Sequence, residues 1–529
     1  MTVRSSTEIG AGLAAARDAR PIRAGERIHV VGAAGAGASA AALLAVWAGA
    51  GADGCDPGGA SQYTPALEAA GVAVAAAHDA AHVRRTPHPD RLAVTKALTA
   101  IAPDHPELVA ARELGVPLEP WQQVVADAAA GRTLVAVAGT HGKSTTSGWL
   151  VGVLTAAGAD PGAFVGALLP AEITGLGVGA TARRGAGTAF VVEADEYAGN
   201  FDPYRPSVTV LTSAEWDHPD VFADRAAVLA AFEAWIRRAG QAPGPGGAGS
   251  PPVLVANVAD DGVAELVGRL ADWPGRVVAT ALVDVAPQRM GGYAKGIAER
   301  FATAAGPAGT LLGRITAADP AATTLELHGL DPLAGPVTTR LATAGRHNAA
   351  NALGVAGAAA ALGVGARPIA DGLAAFRGVG RRLERKGEAA GVVVYDDYGH
   401  HPTAIRETLA AVRQREPGRR VWAVYEPLTY HRTAALLDAF ADVLAAADAV
   451  AIADIWAGRD PDTTIASAEA LADAVARRNP AITAAAPGSV EATAGWLAHE
   501  VRAGDAVLVM GGGRSYRIGE LLLAHLEAR

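Results

Sequence analysis

Short apolar runs alternate with helical patterns along most of the chain. A run begins at IHVVG (28–32), another at TLVAVAG (133–139) and a third at GVVVYDD (391–397). Continuous apolar runs of this length are typical of parallel strands, because helices cover both faces of such a sheet. The pattern therefore predicts an α/β fold. It is plainest at the C-terminal end, where predicted strands at 391–397, 420–426, 449–456 and 505–513 are interrupted by predicted helices at 402–415 and 433–447.

Three units of this kind follow one another in the 529 residues. That length favours roughly three to four domains. We expect an N-terminal tail and three domains, over residues 1–26, 27–131, 132–380 and 381–529. Two stretches interrupt the pattern. Residues 241–252 are rich in Pro and Gly and predict a surface loop, and residues 286–310 predict an insertion or an irregular excursion.

Composition and charge exclude several classes of protein. The net charge is −9, the pI is near 5.9 and no basic stripe is present, so nucleic acid is not the expected partner. The single cysteine, Cys55, excludes an internal disulfide framework and a Cys-based metal cluster. Residues 28–50 are long enough to cross a membrane, but Gly and Ala dominate them. They predict a buried strand, a Gly-rich turn and a helix, and the chain is expected to be cytoplasmic.

The segment Gly139-Thr-His-Gly-Lys-Ser144 lies between a predicted strand and a helix from Thr145 onward. Its glycines allow backbone N–H groups to approach phosphate oxygens, and the helix N-terminus adds positive potential. Lys143 has the length to reach phosphates and the Ser144 hydroxyl suits Mg²⁺. A structural glycine turn stays open, because the common P-loop pattern has a glycine where this chain has Val137. The predicted ATP-binding residues here are Gly139, Thr140, His141, Gly142, Lys143, Ser144 and Thr145.

Acidic residues follow two further predicted strands. FVVEADE (190–196) ends in Glu193, Asp195 and Glu196, and SVTVLTSAEWDHPDVF (207–222) is a further predicted strand followed by Glu215, Asp217 and His218. Carboxylates at the carboxyl end of a strand are well placed for a Mg²⁺ ion that bridges phosphates. A solvated turn remains an alternative for each segment.

A third cluster follows the strand at 392–397, where Asp396 and Asp397 are followed by His400 and His401. Ligand sites of α/β sheets form at this end of the strands. The turn after the first strand carries Gly32, Gly35 and Gly37, but its spacing differs from the dinucleotide fingerprint and is weak evidence on its own.

These strings together resemble the Mur ligase family. GTHGKST (139–145) resembles that family's G-T-x-G-K-[ST], HNAANAL (347–353) its H-N-x-x-N-x-L, and DDYGHHPT (396–403) a string of its alanine-adding branch. The resemblance extends from about residue 27 to residue 520. It implies a Rossmann-like UDP-binding domain, a central P-loop ATPase domain and a C-terminal Rossmann-like domain.

The resemblance also implies roles for individual residues. Asn348 and Asn351 would lie near adenine, Arg382 or its neighbour Arg381 would meet the nucleotide, and Asp397 would lie beside ATP. Ser144 would hold one Mg²⁺, and Glu193 and His218 the other. The UDP-sugar residues would be Gly32, Gly35, Gly37, Ser39 and Asp56, those of the incoming amino acid Tyr398, His400 and Arg432, and the catalytic ones Lys143, Glu193, His218, His400 and Arg432.

The activity implied is an ATP-dependent ligase of peptidoglycan biosynthesis. It would join L-alanine to the lactyl carboxylate of UDP-N-acetylmuramate through an acyl phosphate, with Mg²⁺, as a monomer or weak homodimer. Leu428, Thr429 and Ala434 replace a His and two Arg of the family pattern, which places the amine in doubt. A ligase that attaches a recycled tripeptide stays open, since Glu193–Tyr197 reads E-A-D-E-Y. A UDP-sugar sensor and a plain ATPase are further alternatives.

Overall fold

The computed structural model describes residues 4–239, 242–247, 249–331, 335–458, 460 and 462–529. The described chain forms three sheets in succession, of five, ten and six strands. The strands come from consecutive segments, with helices packed between and around them, so the predicted three-part α/β architecture is confirmed. The exact domain boundaries remain predictions.

The first sheet is entirely parallel, in the order β3-β2-β1-β4-β5. Four of the five residues of strand β1 are buried, because helices cover the sheet on both sides. The strands are β1 (Arg27–Val31), β2 (Gly51–Cys55), β3 (Val74–Ala75), β4 (Arg91–Val94) and β5 (Leu118–Pro120). The helices are α1 (Ser6–Ile9), α2 (Ala36–Trp47), α3 (Thr64–Ala69), α4 (Ala81–Arg84), α5 (Lys96–Ile101), α6 (Pro106–Leu114) and α7 (Trp121–Ala128).

The central sheet has the order β15-β14-β13-β12-β11-β10-β6-β9-β7-β8. It is parallel in the middle and antiparallel at its β13–β15 and β7–β8 ends. The strands are β6 (Thr133–Ala138), β7 (Gly162–Leu169), β8 (Ala180–Arg183), β9 (Ala189–Glu193), β10 (Val208–Leu211), β11 (Val253–Asn257), β12 (Arg276–Leu282), β13 (Gly309–Ala318), β14 (Thr323–His328) and β15 (Val337–Leu341). The helices are α8 (Lys143–Ala156), α9 (Ala171–Thr174), α10 (Arg225–Ala239), α11 (Asp261–Arg269), α12 (Met290–Arg300), α13 (Arg346–Ala361) and α14 (Ala366–Ala375).

The third sheet has the order β16-β17-β21-β18-β19-β20, and only β16 runs antiparallel to its neighbour. Two buried clusters fill its two faces. The strands are β16 (Glu384–Ala389), β17 (Val392–Asp397), β18 (Arg420–Glu426), β19 (Ala449–Ala453), β20 (Thr483–Gly488) and β21 (Asp505–Gly511). The helices are α15 (Pro402–Arg415), α16 (Tyr430–Ala435), α17 (Leu437–Leu444), α18 (Ala468–Arg478), α19 (Val490–Glu500) and α20 (Tyr516–Glu527).

Local predictions meet the structure with three differences. Residues 286–310 are not irregular, since they contain α12. The helix expected over 433–447 is two helices, α16 and α17, which meet at Leu436. Helix α8 begins at Lys143, two residues before the predicted start.

Residues 28–50 form the predicted strand, turn and helix, because β1 and α2 account for most of them. Across the described residues, no helix combines the length and apolar composition needed to cross a membrane.

Candidate functional site

A cavity of about 1030 Å³ lies where the three domains meet. Gly37 and Trp121 line it from the first domain, the segment Thr140–Thr145 from the central domain, and His400 from the third. Because parallel strands share one carboxyl edge, the turns that follow them converge on such a cleft. The polar clusters predicted from the sequence are therefore brought together here.

The turn after β6 has a backbone that favours glycine at both ends. Gly139 has φ 133° and Gly142 has φ 79°, conformations that side-chain-bearing residues rarely adopt. A Cβ atom on Gly142 would lie 2.6 Å from Asn351 Oδ1, and one on Gly139 would overlap Thr212. Helix α8 starts immediately afterwards, so the N-terminus of a 14-residue helix faces the cavity. This geometry suits an anionic phosphate group.

Lys143 lies at the centre of the turn. Its Nζ donates to the Gly139 carbonyl at 2.6 Å and to Glu196 Oε2 at 2.9 Å, and it lies 3.6 Å from Asp195 Oδ1. Burial lowers the pKa of Lys143, but the carboxylates of Glu196 and Asp195 outweigh that effect and raise it above its ordinary value. The side chain is thus a permanent cation beside the turn.

Ser144 joins the central domain to the third. Its hydroxyl donates to Glu193 Oε1 at 3.0 Å and accepts from the Arg382 guanidinium at 2.7 Å. The second Glu193 oxygen accepts the Gly166 N–H at 2.7 Å. Ser144, Glu193 and Arg382, predicted separately from the sequence, are therefore in mutual contact at one edge of the cavity.

The side chains of the neighbouring residues Arg381 and Arg382 have different surroundings. Arg382 lines the cavity, whereas Arg381 points into the interior, where it binds Asp396 at 3.1 Å, the Gly511 carbonyl at 2.9 Å and Ser515 Oγ at 2.7 Å. Of the two, Arg382 is the one placed to meet a ligand in the cavity.

Asp195, Glu196 and His218 bring ligand atoms within 4.8 Å of one another. His218 Nε2 lies 3.9 Å from Glu196 Oε1. The sequence-based assignment paired His218 with Glu193, which instead contacts Ser144 and Gly166. Asp195 and Glu196 were not assigned to the metal, although they stand in the same acidic string. The cluster is rich in oxygen donors and suits Mg²⁺.

Arg432 is buried and bound to the central domain. Its Nε donates to Asp217 Oδ1 at 2.7 Å, and its Nη2 lies 3.3 Å from His218 Nδ1. Burial raises the pKa of Asp217, but the charge of Arg432 outweighs this and holds it well below its ordinary value. Arg432 lines the cavity, yet part of its guanidinium fork is already occupied. Of the three residues that depart from the family pattern, Leu428 and Thr429 line the cavity beside it and Ala434 does not.

His400 and His401 line the cavity and lie between β17 and α15, directly before the first residue of that helix. His400 Nδ1 lies 2.9 Å from the Tyr398 carbonyl and its Nε2 lies 4.0 Å from Asp217 Oδ2. Burial lowers the pKa of His400 well below its ordinary value. Burial, followed by the neighbouring His141, lowers the pKa of His401 to about 4. Both rings are therefore neutral at pH 7.

Contacts around His401 attach the third domain to the phosphate turn. The rings of His401 and His141 lie 4.6 Å apart, and Thr403 donates to Glu215 Oε2 at 2.7 Å. Burial raises the pKa of Glu215, but the nearby His141 ring, whose Nε2 lies 3.6 Å from Glu215 Oε2, and the hydrogen bond from Thr403 bring it to about 2. Sequence reasoning did not identify Glu215 and Thr403 as a pair, since they lie 188 positions apart.

The remaining predicted nucleotide residues also line the cavity. Asn348 donates to the Ala344 carbonyl at 2.7 Å, and Asn351 approaches Gly142 from the same helix, α13. Asp397 accepts backbone N–H groups of Leu383 and Gly399, both at 2.7 Å, so it also shapes its own turn. The Arg382 guanidinium lies over the ring of Tyr398, with its central carbon 4.9 Å from the ring centroid.

One of the five predicted UDP-sugar residues lines the cavity. Gly37 lines the cavity, whereas Gly32, Gly35, Ser39 and Asp56 are not among its lining residues. Ser39 is buried, and its hydroxyl lies 3.1 Å from that of Thr181 in β8. Asp56 Oδ2 accepts the Ala34 N–H at 3.1 Å and so stabilises the turn after β1. These two residues are placed to hold structure, and their contact with a ligand remains a prediction.

Two family models match the chain. Residues 27–133 match the catalytic domain of the Mur ligase family, and residues 381–513 match the Mur ligase glutamate ligase domain.

Similar full-length proteins are named UDP-N-acetylmuramate–L-alanine ligase. The one from Frankia casuarinae is 38% identical over 466 residues, covering 83% of this chain and 84% of the relative. The one from Roseiflexus is 36% identical over 506 residues, covering 94% and 99%.

Solved structures show the same fold. A UDP-N-acetylmuramate–alanine ligase from Thermotoga maritima superposes with a TM-score of 0.71 at 21% identity, covering 95% of this chain and 99% of that one. A murein peptide ligase from Psychrobacter arcticus gives 0.67 at 24% identity, covering 96% and 99%. On the sequence matches, the chain belongs to the Mur ligase family.

Proposed function

We propose that the chain is an ATP-dependent ligase that joins L-alanine to the lactyl carboxylate of UDP-N-acetylmuramate, a step of peptidoglycan biosynthesis. The observation that carries the proposal is the convergence of Lys143, Ser144 and Glu193 with Arg382 and His400 in one cavity shared by three domains. The names of relatives 35–38% identical to the chain support the choice of substrates.

The residues of the central domain fit ATP and Mg²⁺. The turn Gly139–Gly142 and the N-terminus of α8 offer backbone N–H groups to phosphates, and Lys143 adds a fixed positive charge. Ser144 and Glu193 on one side, and Asp195, Glu196 and His218 on the other, would hold the metal. When bound, Mg²⁺ neutralises charge that develops on the phosphate oxygens.

The chain's own residues account for the order of the reaction. A carboxylate bound beside the phosphate turn would attack the terminal phosphorus of ATP, break its bond to the bridging oxygen and become an acyl phosphate, with ADP as the leaving group and Lys143 stabilising the charge. An amine would then attack the acyl carbon and release phosphate. Because all three domains line the cavity, their closure would exclude water from the reactive acyl phosphate.

Within this proposal, His400 would receive the proton of the attacking amine. The carbonyl oxygen of Tyr398 can only accept a hydrogen bond, so Nδ1 of His400 carries the proton and Nε2 is left as an acceptor. Since burial keeps the ring neutral, Nε2 is available as a base at pH 7. Arg432, anchored by Asp217, would meet the amino-acid carboxylate with its remaining N–H groups.

Phosphate release from ATP tests the proposal directly. The full chain is incubated with ATP, Mg²⁺ and UDP-N-acetylmuramate, then with L-alanine, with the L-Ala-γ-D-Glu-diaminopimelate tripeptide or with neither. Release with L-alanine, accompanied by the amide product in a mass spectrum, is the expected result. Release only with the tripeptide would transfer the assignment to the recycling reaction. Turnover without any acceptor, or tight UDP-sugar binding without turnover, would overturn the ligase assignment.

A further inference from the structure

A second set of metal-ligating side chains lies in the first domain, away from the cavity. His29 on β1, Cys55 on β2, His82 on α4 and Glu107 on α6 bring one ligand atom each within 4.8 Å of the others. His29, Cys55 and Glu107 are buried, and His82 is partly exposed. We propose that these four residues bind a zinc ion that stabilises the first domain.

Three distances within the cluster, all measured from Glu107 Oε1, are equal to or shorter than those of a tetrahedral site. Glu107 Oε1 lies 2.6 Å from His82 Nδ1, 3.1 Å from Cys55 Sγ and 3.4 Å from His29 Nε2. Zinc–ligand bonds of about 2.0–2.3 Å place neighbouring ligands roughly 3.3–3.6 Å apart in a tetrahedron. Small side-chain movements would therefore open a centre of the right size.

His29 makes the side-chain contact with a carboxylate that is typical of metal-bound histidines. Its Nδ1 lies 2.6 Å from Asp53 Oδ1, and Arg85 contacts the same carboxylate. Histidine ligands usually donate their second ring N–H to such a carboxylate, which fixes the ring and turns the other nitrogen toward the metal. That other nitrogen, Nε2, lies 3.4 Å from Glu107 Oε1 but makes no hydrogen bond with any described residue, although His29 is only 1% exposed. A cation in the cluster would satisfy it.

The chemistry of the four ligands favours zinc. One thiol, two imidazoles and one carboxylate form a mixed S/N/O set, whereas Mg²⁺ and Ca²⁺ prefer oxygen alone. All four positions are filled by the protein, which is typical of a structural rather than a catalytic site. His78, whose Nδ1 lies 3.0 Å from Cys55 Sγ, stands next to the four.

Without a cation, the Cys55 thiol donates a hydrogen bond to the Glu107 carboxylate at 3.1 Å and so carries its proton. In that state Glu107 is an acceptor for Cys55, His82 and the Asp79 N–H, and the cluster is a polar anchor without a metal. A bound zinc ion would displace the thiol proton. The two states therefore differ in a spectroscopic property of Cys55.

The single cysteine had excluded a Cys-based metal cluster at the level of sequence, and that exclusion still holds for sites built on several cysteines. A site that combines one cysteine with histidine and glutamate ligands is not covered by that exclusion. The site would also fix the turn after β1, because the Cys55 carbonyl accepts the N–H groups of Gly32 at 2.9 Å and Ala33 at 3.1 Å.

Cobalt substitution tests the site without any ligase assay. Co²⁺ is added to the metal-free full chain, and the near-ultraviolet band of thiolate-to-cobalt charge transfer is recorded. Cys55 is the only cysteine, so Co²⁺ bound to the oxygen ligands of the catalytic cavity gives no such band. The expected result is a band that zinc abolishes on titration. A folded wild-type chain without the band would overturn the proposal, whatever its ligase activity.

Variants locate the metal. Cys55→Ser should abolish the band, and His82→Asn should weaken it, while His88→Asn changes an exposed histidine of the same domain and should leave it intact. Asp53→Asn should lower zinc affinity by roughly 10–100-fold, since it removes the residue that orients His29. Circular dichroism checks that each variant folds. If zinc content and the band are the same in Cys55→Ser and wild type, the assignment is wrong.

Thermal unfolding gives a second readout on the unmodified chain. Adding zinc to the metal-free protein should raise Tm, and a chelator should reverse the change. The same zinc concentration should leave Tm of Cys55→Ser unchanged. An equal rise in both proteins would place the stabilising ion elsewhere and overturn the proposal.

Discussion

The turn after β1 and the turn after β6 have the same local design. Residues 32–35 and 139–142 each join a buried parallel strand to a helix N-terminus, and each turn begins and ends with glycine. They differ at the last glycine, which is extended at Gly35 (φ −81°) and left-handed at Gly142 (φ 79°). They differ more in the first residues of the helix, because α2 begins with Ala36 and Gly37 and α8 begins with Lys143 and Ser144.

This difference distinguishes a turn that can bind a phosphate group from one that can also take part in its transfer. Both turns offer helix N–H groups, which suffice to bind an anion. Only the second turn places a partly buried ammonium and three carboxylates beside them, the arrangement that phosphoryl transfer with a metal requires. Under the proposed function, the first turn would hold a diphosphate that stays intact and the second a phosphate that moves.

Each turn is also covered by the domain that follows it in the chain. Ser39 near the first turn meets Thr181 of the central domain, a neutral contact at 3.1 Å. Ser144 near the second turn meets Arg382 at the start of the third domain, a charged contact at 2.7 Å. We therefore expect changes around the second turn to alter turnover and changes around the first to alter stability and sugar binding.

Lys143→Ala should have the largest effect. The substitution removes the cation that stabilises the charge of the transferred phosphoryl group, so kcat should fall by roughly 10²–10³-fold or more. UDP-sugar affinity, measured by calorimetry, should change little because the hydrogen bonds of Lys143 go to Gly139 and Glu196 of the central domain. Lys295→Ala is the matched control, since that side chain is 78% exposed and pairs with Glu299 on the same helix. Turnover within a few-fold of wild type would contradict the proposed role of the second turn.

Arg382→Ala and Arg381→Ala should separate activity from stability. Loss of the Arg382 contact with Ser144 should lower kcat/KM for ATP by roughly 10–100-fold, the value of a charged hydrogen bond. Arg381→Ala breaks the buried pair with Asp396 and should cost roughly 3–5 kcal/mol of unfolding free energy. Urea unfolding and steady-state kinetics on both variants measure the two effects. The reverse pattern would show that Arg381, not Arg382, serves the nucleotide.

Gly37→Ala probes the first turn. A Cβ atom there would overlap the ring of Trp121, which in turn packs against Phe164 of the central domain at 5.2 Å. Overpacking of this kind costs roughly 1–3 kcal/mol. Unfolding free energy and UDP-sugar affinity should both fall while KM for ATP is retained. Gly51→Ala, where a Cβ meets nothing within 4 Å, is the control. An unchanged sugar affinity in a destabilised Gly37→Ala would argue against a ligand at this turn.

The sequence predicted the parts of the molecule that local patterns determine. The strand, turn and helix around Gly139–Ser144 and the helix Pro402–Arg415 follow from apolar runs and from residues that start helices, here His401 with Pro402 after it. The family followed from short sequence motifs that match it between about residue 27 and residue 520, and the α/β architecture from the apolar runs that alternate with helical patterns. These features lie within a few residues of the signal that predicts them.

Contacts between distant segments could not be predicted in the same way. The pairs Ser144–Arg382, Asp217–Arg432 and Glu215–Thr403 join positions 238, 215 and 188 residues apart, and no local pattern encodes them. For the same reason the contact of Arg432 with Asp217 was not predicted, nor was the cluster of His29, Cys55, His82 and Glu107. Three-dimensional packing decides which charges meet.

His401→Gln should have the smallest effect and should separate the two turns by pH. The pKa of His401 is about 4 in the folded chain, because it is buried against His141 of the second turn, and 6.5 when unperturbed. Between those values the unfolded chain binds a proton that the folded chain does not, so unfolding free energy falls as pH drops from about 6.5 to about 4. Replacing the ring should remove on the order of 1–2 kcal/mol of that fall. Ser39→Ala is the control, since the Ser39–Thr181 contact near the first turn has no group that titrates in this range. Urea unfolding at several pH values measures both, and equal pH dependence in His401→Gln and wild type would mean that the third domain does not bury this ring against the second turn in solution.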